Sequence, residues 1–218
     1  MVKIDLHTHT RCSKDCCNDY DRIIPAVQRA GLDGIAVTDH DEFRGARELQ
    51  KRAPFIVIPA EEIKTSAGEI IGLFLQEWIP PGLEPVETVE RIHEQGALAY
   101  VPHPFDELRG SRIARWALDE VRPYIDILEV FNARNARPSY NVRALEYASR
   151  YGLLGGAGSD SHTYAEYGHA YVDIPAFGNA QEFLQSMRQG TWHGRLSSPL
   201  VHVYSRWART RKQLNLSA

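Results

Sequence analysis

Residues 2–10 read VKIDLHTHT, a short apolar run that predicts a β-strand ending in two histidines. In a strand, residues i and i+2 point the same way, so His7 and His9 share a face. Far downstream, residues 158–162 read GSDSH, and Asp160 and His162 repeat that spacing. If strand direction persists there, these two also share a face. Four such groups brought near one another make a place for metal.

Working outward, seven more runs read as strands. They are GIAVTDH (34–40), FIVIPAEEI (55–63), EIIGLFL (69–75), ALAYVPHP (97–104), DILEVFN (126–132), LLGGAGSD (153–160) and AYVDIP (170–175). Between most of them lie amphipathic stretches such as YDRIIPAVQRAG (20–31), EPVETVERIHEQG (84–96) and RALEYASRYG (143–152), each closed by a glycine suited to a helix C-cap. This alternation is the pattern of βα units. His7, His9, Asp39, His40, Glu62, His103 and Asp160 all fall at the C-terminal ends of their predicted strands. Parallel α/β barrels build their active sites from those ends, so the expected fold is a barrel of about seven or eight strands. There is no internal repeat or long linker. Residues 1–218 are expected to form a single domain, with 190–218 an extension packed on or beside it.

Composition narrows the function. The 218 residues are 43% hydrophobic and 24% charged, with net charge −3, which gives no reason to expect bulk binding to nucleic acid or a membrane. No apolar run approaches the roughly 20 residues that span a bilayer. The N-terminal sequence lacks the pattern of a secretory signal, so the expected location is cytoplasmic. Cys12, Cys16 and Cys17 are odd in number and crowded into one loop, which argues against a disulfide framework. With no second cysteine cluster to complete four ligands, they read as free thiols rather than a zinc site.

Nine histidines are present, and a lone histidine is more often structural than a ligand. His93 reads as a surface residue of a helix; His193 and His202 show no partnering pattern, and His169 opens the last strand. His7, His9, His40, His103 and His162 differ, because strand-end carboxylates accompany them. Imidazole and carboxylate without thiolate suit manganese, zinc or iron. More than four candidate ligands imply more than one ion. Paired ions about 3.5–4 Å apart serve phosphate ester hydrolysis, since they activate the nucleophile and stabilise the leaving oxygen.

The sequence resembles the PHP (polymerase and histidinol phosphatase) family of metal-dependent phosphoesterases. DLHTHT looks like its first motif, VTDHD its second, VPHPF its third and GSDSH its fourth, while AEEIKT resembles the segment that carries a bridging glutamate. The resemblance runs from residue 2 to about residue 175. It implies a distorted (β/α)7 TIM-like barrel with two or three divalent ions at the strand C-termini. It further implies that His7, His9, Glu62 and Asp160 hold one ion, that Glu62 bridges to a second bound by His103, and that Asp15, His40 and His162 hold a third. His7, His9, Glu62, His103, Asp160 and His162 are then the catalytic set. Glu61 would face away from Glu62. Family members with three full sites carry a histidine on the strand before the third motif; GEIIGLFL has none, so the second ion has fewer protein ligands or draws on water or Glu69.

Asp5 and Glu129 are candidates for fixing the ligand histidines from behind. Arg109, Arg112, Arg134 and Arg137 lie in loops on the catalytic side and are candidates for substrate phosphate, Arg134 and Arg137 being the preferred pair. The basic RWARTRKQL segment near the C-terminus reads as a solvated helix face, with a partner-binding tail as the alternative. The expected activity is attack of a metal-activated hydroxide on a small phosphomonoester or a nucleotide, such as a nucleoside bisphosphate or a short oligonucleotide. Two alternatives are open. An amidohydrolase-like enzyme would need a carboxylated lysine at a strand end, and Lys64 is placed beyond its strand. A non-catalytic metal-binding regulatory domain would not need so complete a ligand set. Oligomeric state is open.

Overall fold

The elements run in the order β1 (Val2–Thr8), α1 (Tyr20–Arg29), β2 (Gly34–Val37), α2 (Arg44–Gln50), β3 (Ile56–Thr65), β4 (Gly68–Leu73), α3 (Pro85–Glu94), β5 (Leu98–Val101), α4 (Arg115–Val121), β6 (Ile127–Asn132), α5 (Pro138–Tyr151), β7 (Leu154–Gly158), β8 (Ala170–Ile174), α6 (Ala180–Met187), β9 (Thr191–Gly194) and α7 (Val201–Gln213). The computed structural model describes residues 1–214, so residues 215–218 of the expected C-terminal extension lie outside the described residues. The eight expected strands all form, and β9 is added to them. Local chemistry sets the helix ends. Asp19 caps α1 by accepting the Asp21 N–H, and Gly152 ends α5 in the left-handed region at φ 66°.

The strands join in one sheet of order β7-β6-β5-β4-β3-β2-β1-β8-β9. β1, β2 and β3 pair in parallel, as do β5, β6 and β7. The expected parallel order fails at β4, which is antiparallel to both neighbours. Only Ser66 and Ala67 separate β3 from β4, far too few residues for a parallel crossover, so the two form a hairpin. The ring nearly closes between β1 and β7 at the C-terminal rim, through an isolated bridge between Thr8 and Ser161 and the bond from Asp160 N–H to the His7 carbonyl at 2.7 Å. A side chain at position 158 could not pass here, because a Cβ on Gly158 would collide with His7 Cβ. At the other end β8 pairs antiparallel with Val2–Ile4, and β9 pairs antiparallel with β8. The result is an α/β fold with a distorted, nearly closed barrel.

Two apolar cores hold it. Ile4, Leu6, Ile58, Tyr100 and Ile127 fill the interior, with Phe183 of α6 packed against them. Ile35, Leu49, Val89, Leu128 and Tyr147 join the helices to the outer face. Full burial of such side chains contributes roughly 1.5–3 kcal/mol each. Among the described residues no helix is long and apolar enough to cross a membrane.

Candidate metal centre

Ligand-type side chains gather where the strands end. β1 brings His7, with His9 just past its last residue; the loop to α1 brings Asp15; His40 follows β2, His103 follows β5, and Asp160 and His162 follow β7. The pairing of β1 with β2 shifts register between Asp5 and Thr8. Irregularities of this kind re-aim side chains, and here Leu6 packs in the barrel while His7 reaches the centre. Nor does strand alternation unite Asp160 with His162. β7 stops at Gly158 and Asp160 turns left-handed at φ 54°, as His103 does at φ 30°. Non-glycine residues enter that region at a cost, and such positions cluster at functional sites.

Glu62 is not at a strand end. β3 continues three residues further, to Thr65, and rises above the rim in the hairpin with β4. Lys64 therefore lies within β3, not beyond it, with its side chain exposed. Opposed residues of an antiparallel pair share a face. Glu62 opposes Ile71 and Lys64 opposes Glu69, so Glu62 and Glu69 face the same way. Glu61 faces the other way, and its carboxylate accepts the Ile79 N–H at 3.1 Å. Burial pushes Glu61 up to about 8.

Glu62 is the hub. Its Oε2 lies 3.3 Å from His7 Nε2, 3.5 Å from His9 Nε2 and 3.1 Å from His40 Nδ1, and its Oε1 lies 2.9 Å from His103 Nε2. Asp160 Oδ1 stands 3.3 Å from His9 Nε2 and 3.7 Å from His7 Nε2. Asp15 meets His162 Nε2 at 3.2 Å and His40 Nε2 at 3.6 Å. Glu69 reaches His40 Nδ1 at 3.5 Å and His103 Nε2 at 3.7 Å. Donor atoms gather within 4.8 Å of one another in four triads: His7, His9 and Asp160; His7, Glu62 and His103; His9, His40 and His162; and His40, Glu62 and Glu69.

Both charge and hydrogen bonding fit a cation. Burial alone would drive protons off His7 and His40, but Asp160 and Glu62 raise His7 well above its ordinary value, and Glu62 and Asp15 raise His40 to about 10. Burial would likewise raise Glu62, yet His40 and His7 hold it well below the carboxylate range; at Asp160, Arg109 and His7 do the same. The cage draws positive charge to its middle. Meanwhile His9 Nε2, His40 Nδ1, Glu69 Oε2 and Asp160 Oδ1 are buried without a hydrogen bond. Buried polar atoms are normally satisfied, so this convergence is what divalent ions would resolve.

Supporting groups complete the frame. Glu129 accepts the His103 N–H at 2.6 Å and the Tyr100 hydroxyl at 2.9 Å, and its Oε1 lies 3.1 Å from His7 Nδ1. Asp5 holds the backbone instead of an imidazole, accepting the Ser159 N–H at 2.9 Å, and burial lifts it to about 7. Asp39, two residues past the end of β2, turns from the centre to Thr10, accepting the N–H at 2.7 Å and the hydroxyl at 2.6 Å. Cys12, Cys16 and Cys17 are free thiols.

The four arginines separate. Arg109 Nη2 lies on Asp160 Oδ2 at 2.7 Å and lines a cleft of about 600 Å³ that opens from Asp15, His40, Glu69 and His162. Arg134 also borders that cleft but is committed elsewhere. It donates to the Asp160 carbonyl (3.4 Å), the Val201 carbonyl (2.9 Å) and Ser205 Oγ (2.7 Å), and pairs with Glu166 at 3.3 Å. Arg137 is exposed and outside the cleft lining; Arg112 donates to the Ile113 carbonyl. The preferred pair of the sequence reading is thus not brought together at the site. Four residues of α7 that it passed over, His202, Ser205, Arg206 and Arg209, do line the cleft. Their spacing of three and four residues is the available signal, masked by the solvated look of RWARTRKQL.

Comparison with known proteins agrees with this geometry. Residues 5–108 match the PHP domain and residues 138–192 match the PHP-associated family. The uncharacterized protein MJ0417 of Methanocaldococcus jannaschii is 38% identical over 174 residues, covering 78% of this chain and 70% of its own. Among solved structures, PsfC of Pseudomonas syringae superposes with TM-score 0.68 at 19% identity, over 97% of this chain and 98% of that one. A two-domain protein of Bacteroides vulgatus containing a "predicted PHP-like metal-dependent phosphoesterase" gives TM-score 0.67 at 18% identity, over 89% of this chain. This chain spans 65% of that protein, less than two thirds of its length. The structural likenesses establish the fold; the matched segments and the archaeal relative establish kinship, and the chain belongs to the PHP domain family.

Proposed function

We propose that this protein is a metal-dependent phosphoesterase that hydrolyses a small phosphomonoester or a nucleotide phosphate. The observation that carries the reading is the convergence on Glu62, whose two oxygens face nitrogens of four histidines in a buried cage with unpartnered donors. His7, His9, Glu62 and Asp160 would hold one ion, Glu62 and His103 with Glu69 a second, and Asp15, His40 and His162 a third. Divalent ions there supply Lewis acidity, lowering the pKa of a water and offsetting charge on phosphoryl oxygens.

The chain's own groups do the rest. Glu129 faces His7 Nδ1, which favours a proton on that nitrogen and leaves Nε2 free toward the cage. The Asp160 carbonyl, 2.8 Å from His162 Nδ1, fixes that ring in the same way, with Nε2 directed at Asp15. Arg109 lies between the cage and the cleft, with further guanidinium donors for phosphoryl oxygens. Manganese, zinc and iron suit the donor set.

The test is a screen of phosphorylated metabolites and nucleotides with manganese-, zinc- and iron-loaded protein. The expected result is release of inorganic phosphate from a subset of them, abolished by Glu62→Gln. Turnover of amides or lactones but of no phosphoester would establish the amidohydrolase-like alternative instead.

A further inference from the structure

Helix α7 borders the cleft and brings two of its arginines to it, Arg206 and Arg209. On the surface some arginines, such as Arg44, Arg91, Arg115 and Arg143, pair with a carboxylate. Others, such as Arg29, Arg150 and Arg188, have no ion pair among the described residues, so what sets Arg206 and Arg209 apart is their place. Among the described residues, the guanidinium groups of Arg206 and Arg209 have no hydrogen-bond or ion-pair partner, and both line the cleft that opens from the metal cage at Asp15, His40, Glu69 and His162. The carboxylates lining that cleft are already engaged: Asp15 with two histidines, Glu69 with two, and Asp106 with Arg109 at 3.7 Å. The protein itself leaves the two guanidinium groups without an anion.

Their position is fixed. Arg134 grips the start of α7 through the Val201 carbonyl and Ser205 Oγ. Near its end, Lys212 donates to the Arg11 and Ser13 carbonyls, in the loop that carries Asp15. Between these anchors Ala208 is fully buried. Residues 202, 205, 206 and 209 stand at i, i+3, i+4 and i+7, so they form one stripe facing the cleft.

We propose that Arg206 and Arg209 form a subsite for a second phosphate of the substrate, making a bisphosphorylated molecule the preferred class. One phosphoester sits at the cage, which rests on the phosphoesterase reading above, and the other phosphate is held at α7. Guanidinium is the group suited to this, since its planar fork takes two phosphate oxygens at once.

The test separates binding from turnover. Alkyl chains of increasing length carrying a phosphonate at one end, or at both, have C–P bonds that resist hydrolysis. Their affinity for manganese-loaded protein is measured by calorimetry. Wild type should prefer the bisphosphonate by about tenfold or more at some chain length, beyond the statistical gain of two equivalent ends. Arg206→Ala/Arg209→Ala should abolish the preference, and Arg206→Lys/Arg209→Lys should keep part of it. No preference at any length, or a preference that survives the double alanine variant, overturns the subsite. Preference without hydrolysis of any phosphoester keeps the subsite and overturns the phosphoesterase reading; hydrolysis without preference does the reverse.

Discussion

A single carboxylate, Glu62, touches four histidines from the ends of three strands, β1, β2 and β5, which makes it the sharpest place to test the centre. Glu62→Gln is expected to lower bound metal, read by elemental analysis of protein purified without chelator, and nearly to abolish hydrolysis. Glu61→Gln should leave metal content intact, because that side chain faces outward to Ile79. Exchange of the two outcomes would mean that the register of β3 is off by one. Glu69 offers a second test. Its buried Oε2 has no hydrogen bond, and its carboxylate reaches His40 and His103. Glu69→Ala should remove metal from one site, while Glu69→His should restore binding and tilt selectivity toward zinc, since imidazole is the softer donor. Unchanged stoichiometry in Glu69→Ala would return that carboxylate to a bystander. The histidines were legible in the sequence because they stand in motifs; Glu69 was visible only as a substitute for a missing histidine. Its place at the beginning of an apolar strand hides it until the strand is known to run backwards.

That reversal belongs to the element. Apolar runs located all eight expected strands, but they carry no direction, and the short stretch between two of those runs, residues 64–68, was the only local sign of a hairpin. A parallel β4 would carry Glu69 to the far end of the barrel; antiparallel pairing raises it beside Glu62. Helix α7 was legible only in part for a related reason: Arg206 and Arg209 are exposed, as the solvated reading expects, yet both also line the cleft. Its stripe is polar, and polarity alone does not distinguish a face toward solvent from a face toward a charged cleft. What docks α7 is Arg134, buried against Glu166 and reaching Val201 and Ser205. Arg134→Met removes one member of a buried pair, which costs about 3–5 kcal/mol. The loss is expected in urea unfolding. Hydrogen exchange should also show faster opening of α7 than of the strands, because its first anchor is gone. Wild-type stability and exchange in this variant would mean that α7 docks through its other contacts.

At the scale of the molecule, the barrel and its centre stabilise each other unequally. The apolar cores are complete without any ion, with Ile4, Leu6, Tyr100 and Phe183 all buried below the rim. Above them the cage confines Asp15, Glu62, Glu69 and Asp160 beside histidines whose protons must offset the carboxylate charge. Ligands on six separate segments of the chain, from β1 to the loop after β7, meet only in the folded state. Ions that bind the folded form and not the unfolded one stabilise it by RT ln(1 + [L]/Kd), about 2.7 kcal/mol at a hundredfold excess over Kd. For a chain of this length each kcal/mol moves Tm by roughly 2–4 °C. Chelation followed by dialysis should therefore lower Tm by about 5–10 °C for each ion lost at that excess, while far-ultraviolet circular dichroism keeps its α/β character below the new transition. Adding back manganese should restore Tm in a concentration-dependent way in wild type, and Glu62→Gln should show little of that response. A Tm indifferent to chelation and metal in wild type would mean that the cage does not hold ions in the folded protein, and the metal-dependent reading would fall with it.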